Sequence, residues 1–199
     1  MLRLAKTISF LFGPIFILFP IPFILVGKFT QDYSYALKWT IFSYAFVLAV
    51  AVFVMIGVLF KFFTNFDVSK REQRPLLFAF SGFAMFCYFI SLLFFNGPKI
   101  LFIALFAIVL GLIIIMIVNR WVKASIHLAT FASVTLFVGI IYGGYYFLPI
   151  LLTPLLAWAR VKAKEHTVQE TIVGSILGAV ITLVVYAVSR QFLMEIVYN

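Results

Sequence analysis

His166 and Glu170 stand four residues apart in the stretch ARVKAKEHTVQE, residues 159–170. That spacing is one helical turn. A carboxylate so placed accepts a hydrogen bond from one imidazole nitrogen, which fixes the tautomer and leaves the other nitrogen as a nucleophile or base. Arg160, Lys162 and Lys164 precede the pair, and an arginine fork matches the oxygens of a phosphate. Gly174 and Gly178 continue the four-residue step, and small residues at that interval let a second helix approach closely.

Two other charged turns carry similar chemistry. In KASIH, residues 123–127, Lys123 and His127 are again four apart with Ser125 between them. On a regular helix Ser125 would face away from both. The three meet one ligand only if the turn is partly extended or sits at a helix start, where a hydroxyl and free N–H groups suit a phosphate. The remaining turn, DVSKREQRP, gathers Lys70, Arg71 and Arg74 before Pro75. Each turn taken singly also fits a plainer role: an interfacial histidine in a basic juxtamembrane turn, a charged helix cap, and cations that set membrane topology.

The elements that must position these turns are membrane helices. Of the 199 residues, 65% are hydrophobic and 11% charged, whereas a soluble domain is roughly half apolar and about a quarter charged. There is too little polar surface to coat a globule, so the expected fold is all-α: a polytopic transmembrane bundle forming a single integral-membrane domain over residues 1–199. A span needs about 20 apolar residues. Spans are expected at 8–27, 37–63, 76–95, 100–118 and 171–189. Pro14, Pro20 and Pro22 should kink or break the first. Its charged-then-apolar start resembles a signal peptide, but the apolar run is long and no small-x-small site follows, so it reads as a retained membrane helix.

The run between His127 and Arg160 is interrupted at Gly143–Gly144 and Pro149. It reads as two short helices, 128–141 and 146–158, giving seven helices, or as one bent helix, giving six. Two short helices return the chain to the same face, so all three charged turns can meet at one membrane surface. One bent helix would separate them. Seven is preferred for that reason.

The net charge is +9. Because the charges sit in turns between apolar segments, they point to anionic headgroups or a phosphorylated lipid, not nucleic acid. The lone cysteine, Cys87, excludes an intramolecular disulfide and a cysteine-cluster metal site. No convincing acidic residue lies within the expected spans, which argues against a transporter with an intramembrane proton relay.

Together the turns resemble the type-2 phosphatidic acid phosphatase superfamily of integral-membrane lipid phosphatases, and a divergent prokaryotic branch more closely than typical members. The family pattern SRxxxxxHxxxD is matched by Ala159, Arg160, His166 and Glu170, with Ala for Ser and Glu for Asp. The pattern PSGH is matched by Ala124, Ser125, Ile126 and His127, which keep the serine and histidine and lose the proline and glycine. In KxxxxxxRP, Arg74 and Pro75 match, but the lysine position falls on Asp67, so Lys70 or Arg71 would have to substitute.

The resemblance implies a mechanism without metal or other cofactor. His166 would attack phosphorus and form a phosphohistidine, Glu170 would hold its ring, and His127 would protonate the leaving group and later help activate water. Arg160, Arg74, Ser125 and Lys123, with Lys70 or Arg71, would bind the phosphoryl oxygens. The substrate would be a lipid phosphate or isoprenoid diphosphate whose tail stays in the bilayer of the cell membrane. The alternative is a catalytically degenerate relative that binds or transports anionic lipid. Family members place the site on the non-cytoplasmic face. Here the expected turn-bearing face holds most of the 15 Lys and Arg, while Lys28, Lys38, Lys99 and Arg190 fall opposite. That bias favours a cytoplasmic site, and the face stays open between the two arguments.

Overall fold

Proline punctuation divides the N-terminal apolar run into three helices. In a computed structural model, which describes residues 1–198 and side chains through residue 190, they are α1 (Leu2–Leu11), α2 (Pro14–Leu18) and α3 (Ile21–Thr30). Pro14 opens α2, and Pro20 caps α3 with Pro22 in its first turn. A proline lacks the N–H that a helix interior needs but is harmless where the N–H has no intrahelical partner. The remaining helices are α4 (Tyr33–Leu59), α5 (Arg74–Phe94), α6 (Lys99–Val118), α7 (Ile126–Tyr142), α8 (Thr153–Lys162) and α9 (Val168–Tyr198). Two 3-10 segments, Arg71–Gln73 and Gly144–Leu152, precede α5 and α8. Among the described residues there is no strand.

The chain is thus an all-helical, polytopic membrane protein. Among the described residues five helical stretches are long and apolar enough to cross a membrane, six if the broken run through Thr30 forms one more. The 17-residue α7 is a shorter apolar helix. Two short elements do stand between His127 and Arg160, but the second differs from expectation. Its first half is 3-10, because Pro149 inside it and Pro154 after it remove the N–H groups that an α-helical ladder would use. Gly143 and Gly144 turn the chain there with φ of 72° and 55°, a backbone region that side chains disfavour.

Contacts group the residues into two units, each described by itself. One comprises residues 1–18 and 113–190. In it α1 packs on α8, α2 on α7, and α7 on both α8 and the Gly144–Leu152 segment. Helices α7 and α9 meet along three successive turns. The backbone of Ser125 lies against Gly174 and that of Ala129 against Gly178, where an added Cβ would collide. Ser133 and Thr182 are hydrogen-bonded through their hydroxyls at 2.8 Å. The paired positions rise together, so the two helices run in the same direction. The spacing of Gly174 and Gly178 serves the close approach it suggested.

The other unit covers residues 19–112. Helices α3 and α4 form a hairpin whose turn is capped by Asp32, which accepts from the Tyr35 amide at 2.9 Å. Helices α4 and α5 are joined by a Ser43–Tyr88 hydroxyl pair at 2.7 Å and by stacked Phe53 and Phe80 rings. The loop between them is anchored by Phe63 and Val68, which are buried with Val54 against Leu77. The Phe63 ring occupies the space a side chain at Gly57 would need.

Candidate functional site

The start of α9 is built by a reciprocal cap. Thr167 Oγ1 accepts from the Glu170 amide at 3.2 Å, and Glu170 Oε2 accepts from the Thr167 amide at 3.1 Å. This capping box satisfies two donors at the helix start and fixes the Glu170 rotamer. The same carboxylate oxygen lies 2.8 Å from His166 Nδ1. The His166 side chain is 1% exposed and that of Glu170 20%. With a carboxylate as partner Nδ1 carries the proton, so the lone pair sits on Nε2. Thr167 was not singled out from the sequence, although the T-x-x-E pattern over 167–170 marks it.

Arg160 lies near the end of α8 and is 1% exposed. Its Nη1 donates to Ser9 Oγ on α1, a partner 151 residues away. Its backbone carbonyl accepts from the Glu165 amide at 3.2 Å, and the Val161 carbonyl accepts from the Lys164 amide at 3.0 Å. This is the bonding of a Schellman helix end. Its left-handed position, usually glycine, is Lys164 at φ 60°, which costs roughly 1–2 kcal/mol.

The 119–127 turn is tied directly to this one. Residues 123–125 are non-helical and Ser125 is the N-cap of α7, the helix-start geometry that the KASIH spacing required. The Ser125 amide donates to the Glu170 carbonyl at 3.1 Å, and Lys123 Nζ donates to the Glu165 carbonyl at 2.8 Å. Lys123 is therefore a brace between the two turns. Ser125 Oγ is fully buried and has no hydrogen-bond partner among the described residues. Such a hydroxyl costs about 1–3 kcal/mol unless something satisfies it. His127 is buried in the first turn of α7, 6% exposed. Its Nε2 faces the break between α1 and α2, where a Cβ on Gly13 would stand 3.7 Å away. Ser9 and Gly13 are neighbours of the site that nothing in the sequence indicated.

The 64–75 turn belongs to the other contact unit. There Gln73 Oε1 accepts from the amide and the hydroxyl of Thr64, both at 3.1 Å. Arg74 opens α5 and is 1% exposed, with Nε donating to the Val68 carbonyl at 3.4 Å. Arg71 and Asp67 are half-buried and Lys70 is exposed. His166, Glu170, Arg160, Ser125, His127 and Lys123 are thus gathered within one unit, and Arg74, Arg71 and Lys70 within the other.

No family model matches this chain, and neither a curated protein nor a solved structure is detectably similar to it.

Proposed function

We propose that the chain is a metal-independent membrane phosphatase that hydrolyses a lipid phosphate monoester or an isoprenoid diphosphate through a phosphohistidine. The observation that carries this reading is the buried His166 held through Nδ1 by the capped carboxylate of Glu170. That pairing leaves Nε2 as a nucleophile and stabilises the charge the ring acquires on attack.

In the first step His166 Nε2 bonds to phosphorus and the bond to the leaving oxygen breaks. His127, protonated, gives its proton to that oxygen. In the second step water loses a proton to His127, attacks the phosphohistidine and releases inorganic phosphate, which restores both histidines. Arg160 and the Ser125 hydroxyl at the start of α7 support the reading, because phosphoryl transfer depends on positioning and charge neutralisation more than on covalent complexity. Lys123 contributes charge while bracing the turn.

Phosphate release by purified protein in detergent with EDTA tests the proposal. The substrates are phosphatidic acid, phosphatidylglycerophosphate and undecaprenyl diphosphate. Release should persist in EDTA, fall to background in His166→Ala, and drop by about 10²–10⁴ in His127→Ala. No release from any lipid by folded protein would overturn the hydrolase reading. It would favour an anionic-lipid binder, with Asp67 at the lysine position and the altered Ala124–His127 turn as the reason.

A further inference from the structure

A cleft of about 550 Å³ opens beside α8 and is walled by apolar groups from three elements. Leu2 comes from α1, Trp158 and Val161 from α8, and Val168 from α9. Its size falls in the range of small-molecule sites, roughly 300–1,000 Å³. Lys162 and Lys164 also line it. Both are exposed, and neither side chain makes a hydrogen bond or ion pair among the described residues.

The height of the cleft in a membrane follows from its neighbours. Gly144–Lys162 and Val168–Arg190 both qualify as membrane spans, so the short link between them lies at a bilayer surface. At that height the apolar walls suit acyl chains and the two ammonium groups suit headgroups. Trp158, which lines the cleft, is a residue type that favours this interface. Lys164 holds its place in a left-handed turn position where glycine would be unstrained.

We propose that this cleft binds an anionic glycerophospholipid of the surrounding bilayer. Its phosphodiester lies between Lys162 and Lys164, and an acyl chain lies against Leu2, Trp158, Val161 and Val168. Two cations facing an apolar wall select a negative headgroup over a zwitterionic one. A phosphodiester lipid is not a phosphate monoester, so this site is separate from the proposed hydrolysis and does not rest on it.

The test uses full-length protein in phosphatidylcholine vesicles that contain increasing amounts of brominated phosphatidylglycerol or brominated phosphatidylcholine. Bromine quenches indole fluorescence on contact, and the difference between wild type and Trp158→Phe isolates the Trp158 signal. The anionic lipid should half-quench that signal at a mole fraction about tenfold lower than the zwitterionic lipid. Lys162→Gln and Lys164→Gly should each weaken the preference, and the double variant should abolish it. The glycine relieves the backbone at 164, so loss of folding is not expected to confuse the result. His166→Ala should keep the preference in full. Equal quenching of wild type by the two lipids would overturn the proposal, as would a preference that survives in the double variant.

Discussion

Arg160 and Arg74 are equally buried, each 1% exposed, yet they organise their surroundings over different distances. Arg74 bonds to the carbonyl of Val68, six residues back in its own loop. Arg160 reaches Ser9, at the other end of the sequence, while its carbonyl closes the end of α8. The 64–75 turn is held by local bonds such as Thr64–Gln73 and Asn65–Ser69. The 159–170 turn is held by bonds to α1 and to the 119–127 turn. The first carries bonds that close within the loop, while Phe63 and Val68 anchor it on α4 and α5. The second is a junction whose geometry depends on three separate parts of the chain. A buried cation needs compensation in either setting, and where the compensation comes from decides whether a local change stays local.

Substitution of the arginines breaks this comparison most severely. On the phosphatase reading, Arg160→Gln should lower phosphate release by about 10²–10³. Ser9→Ala, which removes only the distant acceptor, should lower it about tenfold, because a hydrogen bond to a charged group is worth about 1.5–3 kcal/mol. A Ser9→Ala variant with unchanged turnover would show that the α1 contact does not position Arg160.

Helical glycines sharpen the same contrast. Gly178→Leu should destabilise the protein by about 1–3 kcal/mol, since its side chain would meet the Ala129 backbone. Gly82→Ala in α5, with nothing within 4 Å of the added methyl, should be neutral or stabilising by up to about 1 kcal/mol. Thermal unfolding in detergent distinguishes the two, and equal effects would mean that α7 and α9 do not depend on their close contact.

The smallest difference concerns hydroxyl pairs. Ser133→Ala removes the hydroxyl pair with Thr182 but keeps the Ser133 carbonyl that accepts from Thr182 Oγ1 at 3.0 Å, and Ser43→Ala removes the link from α4 to Tyr88. Each should cost only about 0.6 kcal/mol in a membrane setting. The Ser133 loss should add to that of Gly178→Leu less than independently, because both act on one interface. Strict additivity in unfolding measurements would contradict the shared interface.

Much of the architecture could be read from composition. Apolar runs of about 20 residues bounded by charge or Gly/Pro marked where the spans lie, but the run expected at 8–27 is three helices over 2–30, and α9 continues to Tyr198, past the expected 189. Helix α9 begins at Val168, ahead of the expected 171, because Thr167 and Glu170 cap it. The capping pattern was present and overshadowed by the histidine spacing. The 3-10 geometry of Gly144–Leu152 was not visible, because Pro149 signals an interruption without stating what replaces the α-helical ladder.

The sequence by itself determined that lipid is the solvent for most of this chain, because too few polar residues exist to cover it. It also determined that His166 and Glu170 can meet, because four residues make one helical turn. Only the tertiary structure decided that Ser9 holds Arg160 and that Lys123 braces the Glu165 carbonyl. It also decided that the Ser125 amide ties α7 to the Glu170 carbonyl. Those bonds join groups far apart along the chain. Each depends on how parallel α7 and α9 pack at their glycines and how α1 lies on α8, which no local spacing encodes.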